Sequence, residues 1–423
     1  MPVTIGATLL RRPRPKLTDG QKLGNAFVAL GPTFIKLGQA LSIRADLIGE
    51  EMAAELSFLR DQLPPFATEV AKKIIERELG DKIENIFAQF DETPVAAASI
   101  AQVHFGRLYN NAEVAVKILR PDIEKQIARD LELFRWIAGK IQKRNPRLKP
   151  LEVIETLEET VKMELDLRME AASASLLKEN FKGWNGFYVP EIHWKYVSQG
   201  VLVMEKVSGL KIDDREGLIN AGFSPDVILE KAARSLFKQV FDDGFFHADL
   251  HPGNVFVNTR GEIVPIDFGI MGRLDKQSQV YMAEILGGFM MRDYDRVAKA
   301  HFDAGYVPRN KSQANFALAC RAVGEPVMGL PINEISVARL LSQMFKVAED
   351  FEMEAQPHLL LLQKTMMMAE GVGRSLNPNV NMWKLAEPLV REWVKKHMGV
   401  QAKVGIIKDM LEDFVRRVLL SAK

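Results

Sequence analysis

The sequence predicts an α+β fold in two lobes, a small lobe built on strands and a larger one of helices. Three features carry that expectation. Between residues 91 and 206 the chain offers short runs rich in Val, Ile and Ala, separated by turn residues, as strands require. The part from 207 to 423 is mostly helical, and its residues 277 to 423 read as helices with breaks at Pro308, Pro326, Pro331, Pro357 and Pro378. At the head of that second part lies a loop crowded with reactive side chains, His247-Ala248-Asp249-Leu250-His251-Pro252-Gly253-Asn254. Asp267-Phe268-Gly269 follows at the distance of a hairpin.

Composition narrows the classes. The chain has 423 residues, 47% apolar and 26% charged, an ordinary globular balance. The net charge of +1 gives no global nucleic-acid footprint, and no nucleic-acid partner is expected. Cys320 is the single cysteine, which rules out a disulfide framework and a cysteine-based zinc site and fits a reducing, cytoplasmic setting. No run of 18 apolar residues exists, so no transmembrane helix is expected, and Met1 to Leu10 lacks the charged start of a signal peptide.

Residues 1–90 read as a helical N-terminal extension. Residues 11–16, Arg-Arg-Pro-Arg-Pro-Lys, form a basic lead-in read as a solvated tail, with an anionic membrane surface as the minority partner. Gly31-Pro32 opens a helix, proline suiting its first turn. Phe34, Leu37 and Leu41 make its apolar stripe, while Lys36 and Gln39 share its polar side. Gly38, between them, costs about 1 kcal/mol relative to alanine and suggests a close approach by another backbone or a ligand. On spacing alone the helix is an ordinary amphipathic one. Residues 50–90 read as further helix, with Thr68 as an N-cap and Gly80 at a C′ position.

Residues 91–206 read as the small lobe. Pro94 to Phe105 and Glu113 to Leu119 form a hairpin-like pair of strands around Asn110-Asn111, with an alanine-rich loop (Ala96, Ala97, Ala98, Ser99) before the first. An alanine turn is stiffer than a glycine one and wraps phosphate less readily with its N–H groups. Ser99 is its obvious polar group. Val114-Ala115-Val116-Lys117 places a lysine on the second strand, as in the strand whose lysine pairs the α and β phosphates of ATP. Residues 122–181 read as helices broken at Asn145-Pro146. The second helix carries Glu158, Glu159, Glu164, Asp166 and Glu170. Glu164 and Glu170 lie six residues apart, about 240° round one helix, so only one can meet Lys117. Glu170, beside Ala171 and Ala172, is assigned to Lys117, and Glu164 with Asp166 to another partner, for which Lys36 is a candidate. Phe187-Tyr188-Val189 and Val201 to Val207 read as strands. Backbone at Glu205 to Val207 would hydrogen-bond an adenine ring, and Met204 would line its inner wall.

Residues 207–423 read as the helical lobe. Residues 225–244 form an amphipathic helix leading into the 247–254 loop. Val255 to Ile266 reads as two short strands around a turn at Thr259 to Glu262. That hairpin returns Asn254 and Asp267 to one end, where an amide oxygen and a carboxylate can hold Mg²⁺ on the phosphates of ATP while Asp249 orients the acceptor. The order of catalytic Asp, metal-binding Asn and Asp-Phe-Gly matches the protein-kinase set. Met366-Met367-Met368 reads as core filler. Residues 404–420 read as an amphipathic surface helix, with a membrane-surface helix as the alternative.

Taken together, the chain resembles the UbiB-like atypical kinases, proteins linked to ubiquinone (coenzyme Q) biosynthesis. The motifs are Leu30-Gly31-Pro32 with Lys36-Leu37-Gly38-Gln39, Ala96 to His104, Val114 to Lys117, Glu164-Leu165-Asp166, the 247–269 block, and Leu362-Gln363-Lys364 with Glu370 to Arg374. The resemblance implies a bilobal protein-kinase-like fold, with the extension at 1–90 placing its Lys-x-Gly-Gln helix over the active site, a small lobe at 91–206 and a helical lobe at 207–423. It gives Lys36 a role against Glu164 and Asp166, and places Gln39 near the phosphates. It implies ATP and Mg²⁺ as ligands, ubiquinone-biosynthesis enzymes or lipid intermediates as partners, and slow ATPase activity supporting ubiquinone biosynthesis. A small-molecule or lipid kinase and a nucleotide-gated, non-catalytic scaffold are the alternatives. Chains of this family usually continue into apolar segments that hold them in the inner membrane. This chain stops at Lys423 without them, so either it is a shortened chain or this member is peripheral on that membrane, the second being the expectation for its localisation.

Overall fold

The computed structural model describes residues 17–42, 48–56, 59, 63–144, 150–326, 346–353, 357–380, 385, 388–390 and 392–393. The expectations for residues 11–16, Pro331 and 404–420 lie outside the described residues. Two compact units emerge, one from residues 1–63 and 125–157, the other from 64–124 and 158–423.

The first unit is helical. Thr18 caps Asp19–Leu30 in a reciprocal box with Gln21. Gly31, at φ 108°, turns the chain into Pro32–Ser42, as the Gly-Pro pair led one to expect. Thr33 donates to Asp130 on the Ile123–Arg144 helix, and Phe34 meets Phe134 edge to face at 4.9 Å. Gly38 admits neither a backbone nor a ligand. A Cβ there would lie 2.6 Å from Leu59 and 2.7 Å from Phe27, so it is a packing glycine within this unit. Lys36, read from spacing as a surface residue, is buried, while Phe34, Leu37 and Leu41 are only half-buried.

The second unit contains both a sheet and a helical part. β1 (Phe87–Phe90), β2 (Ala96–Ala97), β3 (Ala101–Leu108), β4 (Glu113–Leu119), β5 (Ile192–Val197) and β6 (Val201–Glu205) form one antiparallel sheet. Its order is β1-β3-β4-β6-β5, with β2 also paired to β3. Alternation decides its two faces. Val114, Val116 and Ile118 of β4, with Val201 and Val203 of β6, sink against Ala71, Ile74 and Ile75 of the Thr68–Leu79 helix. Ala115 and Lys117 therefore face the other way, beside Met204 and Leu202 of β6.

Several elements differ from expectation. β1 occupies four residues read as helix, too few for a period to declare itself. Thr68 is not the N-cap; its hydroxyl donates to the Glu92 carbonyl at 2.6 Å, and Ala67 precedes the helix. Gly80 does take the left-handed C-terminal position, at φ 72°. Phe187 makes only a single bridge to Ile263, because Pro190 ends that run, and the strand falls at β5 instead. The helix expected to carry both Glu164 and Glu170 is broken. Pro150–Glu164 stops, and Asp166 caps a new helix, Leu167–Asn180, by accepting from Arg168 N–H at 3.1 Å.

In the helical part, Pro225–Phe237 runs into a six-residue π-turn, Lys238–Asp243. β8 (Phe245–His247) follows. β9 (Val255–Val257) and β10 (Ile263–Pro265) make the expected hairpin, joined by β7 (Leu210–Lys211); β11 (Met271–Arg273) pairs with β8. Lys276–Met290, Tyr294–Asp303 and Gln313–Gly324 bury Ile285, Val297, Ala298 and Phe316 in one core. Pro357–Leu376 contributes Leu362 to a second core with Val240, Phe246 and Ala248. Met366 and Met367 are exposed on that helix rather than filling a core. Among the described residues no helix is long and apolar enough to cross a membrane.

Candidate active site

Lys117 is the centre of a partly buried charge cluster. Its Nζ donates to Glu170 Oε1 and Oε2 at 2.8 and 2.9 Å and to Asp267 Oδ1 at 3.3 Å. β4 supplies the lysine and the first turn of Leu167–Asn180 the glutamate. The residue after β10 and Ile266 supplies the aspartate. Burial alone would lower the Lys117 pKa; the two carboxylates together outweigh it and hold it above the ordinary lysine range. Burial pushes Glu170 up, against the pull of Lys117. Burial opposes ionisation of Asp267 as well, but Lys117 and the Gly269 N–H, which donates to Oδ1 at 3.1 Å, keep its pKa well below the carboxylate range. Glu170 Oε1 also accepts from Phe268 N–H at 3.4 Å, so one carboxylate ties the lysine to the Asp-Phe-Gly backbone.

The 247–254 loop is built from His247 outward. The buried His247 ring accepts the Asp249 N–H on Nδ1 at 3.1 Å, so Nε2 carries the proton and donates to the Asp267 carbonyl. Burial lowers its pKa, which keeps that neutral form. Gln239, on the π-turn, accepts the His247 N–H at 2.9 Å. Further along, Asn254 N–H donates to the His251 carbonyl at 2.8 Å, and Ile266 N–H to the Asn254 carbonyl at 3.0 Å. Asn254 thus lies beside Ile266, one residue before Asp267. Neither His247 nor Gln239 was singled out from sequence, although the His-x-Asp spacing marks the first.

Lys364 is the side chain that sequence reasoning missed. From the Pro357–Leu376 helix its Nζ meets Asp249 Oδ1 at 3.0 Å. The Leu362-Gln363-Lys364 motif was visible, but nothing in its spacing points to Asp249, 115 positions away.

The alanine-rich loop is clamped. Arg120 donates twice to the Ala98 carbonyl, at 3.0 and 2.8 Å, and once to Pro64 at 2.9 Å. Gln102 Oε1 accepts Phe66 N–H, and its amide donates to His104 Nε2, whose ring donates in turn to the Asp91 carbonyl. Ala97 and Ala98 line this loop half-buried, whereas Ser99, expected at the phosphates, is wholly buried. At the connection after β6, Glu205 N–H donates to Glu191 and Lys206 N–H to Glu113, at 2.8 and 3.0 Å. Val207 alone of the three keeps an N–H without a partner among the described residues. The Glu205 carboxylate accepts from Tyr188 Oη at 2.6 Å, and Met204 is buried.

The remaining candidates are placed as follows. Asp166 bonds Arg168 through a side-chain fork at 2.8 and 2.7 Å, which gives it a partner other than the lysine expected from sequence. Glu164 is buried at the end of its helix. Lys36 and Gln39 sit on the Pro32–Ser42 helix of the first unit.

The donor set fits a magnesium ion. Mg²⁺ takes one or two carboxylates and completes its shell with phosphate and water. The Asp267 side chain is 43% exposed, with Oδ1 engaged by the protein and Oδ2 without a protein hydrogen bond among the described residues. The Asn254 side-chain amide likewise has no partner among the described residues.

Comparison with known proteins places the chain in a family. Residues 58–301 match the ABC1 atypical kinase-like domain, and residues 320–381 the UbiB helical domain. The chain is 44% identical over 412 residues to the probable protein kinase UbiB of Marinobacter nauticus, covering 96% of this chain and 75% of that one. It is 42% identical to the protein of the same description from Aeromonas salmonicida (95% and 75% covered), and 41% identical to that of Pseudomonas aeruginosa strain LESB58 (98% and 78%). Among solved structures it is similar to the Mycobacterium tuberculosis protein Rv3197, determined as an erythromycin complex. The TM-score is 0.61 at 25% identity, over 86% of this chain and 94% of that one.

Proposed function

Because this chain belongs to the ABC1/UbiB family of atypical kinases, we propose that it binds Mg-ATP and hydrolyses it slowly in support of ubiquinone biosynthesis. The observation that carries the reading is the double hold on Lys117 by Glu170 and Asp267, with Asp249 and Asn254 on one loop beside it. Lys117 would hold the α and β phosphates, with Glu170 fixing its direction. Asn254 and Asp267 Oδ2 would hold Mg²⁺, which when bound neutralises charge on the phosphates. The Val207 N–H would meet the adenine edge, and Met204 its face. Asp249 would orient a water whose oxygen bonds to the γ-phosphorus as the bridging P–O bond breaks. ADP, inorganic phosphate and one proton leave. Lys36 and Gln39, on their own helix, would take the roles that the family resemblance gives them.

In the family that the chain resembles, an alanine-rich loop in place of a glycine-rich one goes with hydrolysis rather than transfer to a protein. Its Ala98 carbonyl is held by Arg120, and alanines wrap phosphate with their N–H groups less readily than glycines do. The test is Mg²⁺-dependent phosphate release from ATP, with and without anionic liposomes, for wild type, Asp249→Asn and Asp267→Asn. Loss by a factor of about 10² or more in both variants is the expected result. A rise with liposomes would make the membrane the working surface. No release above the variants, with ATP still raising the melting temperature, would refute turnover and leave a nucleotide-sensing scaffold.

A further inference from the structure

The Asp249 carboxylate has one side-chain partner among the described residues, and it comes from a different module of the chain. Lys364 lies within residues 320–381, the segment matching the UbiB helical domain, while Asp249 lies within 58–301. The contact is not a chance meeting of mobile side chains. Leu362, two residues before Lys364, is buried in the same core as Ala248, the residue before Asp249. Thr365, the next residue on the helix, is wholly buried and closes a bond to the Leu361 carbonyl at 2.8 Å. Both ends of the pair are therefore set by packing.

Nor does stability account for it. The Lys364 and Asp249 side chains keep 24% and 29% of their surface. A pair as open as that contributes about 1 kcal/mol at most. It does answer a chemical need. Phosphoryl transfer spreads negative charge over the three equatorial oxygens of the γ-phosphoryl group, and cations beside the loop must meet it. Residues 247–254 contain no lysine or arginine. Lys117 is held by Glu170 and Asp267 on the other side. Lys364 is the cation at Asp249.

We propose that Lys364 is a catalytic residue supplied by the helical domain: its ammonium steadies the Asp249 carboxylate and contacts the γ-phosphoryl group of bound ATP. The proposal rests on the Mg-ATP reading above. It makes the helical domain a part of the active site, so that a chain carrying residues 58–301 alone would have an incomplete one.

The test uses the full chain with Lys364→Met, Lys364→Arg and Asp249→Asn, and reads two quantities. One is kcat for phosphate release; the other is the ratio of ATP to ADP affinity, measured calorimetrically with Mg²⁺. ADP lacks the group that Lys364 would touch, so the ratio isolates that contact. Lys364→Met should lower kcat by about 10² and reduce the ATP preference at least about fivefold, with ADP affinity unchanged. Lys364→Arg should keep most of the preference and part of the rate. An ATP preference unchanged in Lys364→Met would overturn the proposal, whatever the rate does. Should wild type and Asp249→Asn both release no phosphate, the hydrolysis reading fails by itself and the affinity ratio still decides the role of Lys364. If Lys364→Met does not fold, loss of the ATP preference in a folded Lys364→Gln decides in its place.

Discussion

Replacing Glu170 by glutamine should flatten part of the pH dependence of stability. Glu170 is 5% exposed, and its pKa is raised from an ordinary value of 4.5 to about 7, chiefly by burial, with Asp267 adding to it and Lys117 opposing. The native state therefore holds this proton more tightly than the unfolded chain does. Its contribution to stability is full below about pH 4.5 and is lost as the pH rises through about 7. At about 1.4 kcal/mol per pH unit, the loss amounts to about 3 kcal/mol, of which about 2 to 3 kcal/mol falls between pH 5 and pH 8. Lys117 is raised and Asp267 lowered, so neither titrates in that window. Glutamine keeps a carbonyl oxygen for Lys117 and Phe268 N–H but carries no charge to desolvate. Denaturant unfolding of both proteins at pH 5, 6, 7 and 8 reads the difference directly. The variant should gain about 2 to 3 kcal/mol on wild type across the series, while its ATP turnover falls because Lys117 is no longer held by charge. Parallel stability curves would refute the reasoning and show that Glu170 stays ionised throughout.

Three further outcomes follow from the structure. Gly244→Ala should cost more than about 2 kcal/mol, because Gly244 has φ 62° and a Cβ would lie 2.3 Å from the Leu274 carbonyl and 1.8 Å from Gln279 Nε2. Gly222→Ala, at φ 86° with open space, should cost only about 1 kcal/mol, and equal losses in urea unfolding would contradict the steric argument. Tyr188→Phe removes the hydroxyl that donates to Glu205 and should lower stability by about 1 to 2 kcal/mol, seen as a reduced urea midpoint at constant slope.

The parts of this site legible in the sequence are those with local spacing. His247 to Gly269 spells out its hairpin, and the structure returns Asn254 and Asp267 to one end through a bond from Ile266 to Asn254. The Lys117–Glu170 pair was also found, but partly for a wrong reason. A continuous run of helix formers spans Glu164 and Glu170, whereas Asp166 breaks it and caps the next helix. A capping aspartate inside a run of helix formers gives no periodic signal. Lys364 and Arg120 were invisible because each acts through tertiary contacts, with no pattern linking Lys364 to Asp249 or Arg120 to Ala98. Lys36 looked like a surface residue because its helix is judged from spacing, and burial depends on what packs against it. That the chain belongs to the atypical-kinase family was legible because several motifs occur in order, a constraint that no single motif imposes.

The π-turn at Lys238–Asp243 gives the long helix before the catalytic loop a phase as well as a length. A π-turn amounts to one extra residue inside an α-helix, and here Lys238 and Asp243, five apart, close across it at 2.6 Å. Gln239 leaves this turn aimed at the His247 N–H. Wound as α-helix with the same residues, the turn would rotate its far end by roughly 100° relative to Pro225–Phe237. His247, just beyond the turn, would then be carried away from Gln239, while Ile228 and Leu229 keep the core they now occupy. The insertion thus acts as an angular offset: it lets the apolar face of Pro225–Phe237 pack inward while the next turn presents an amide to the loop. A straight helix of the same composition could satisfy only one of those directions.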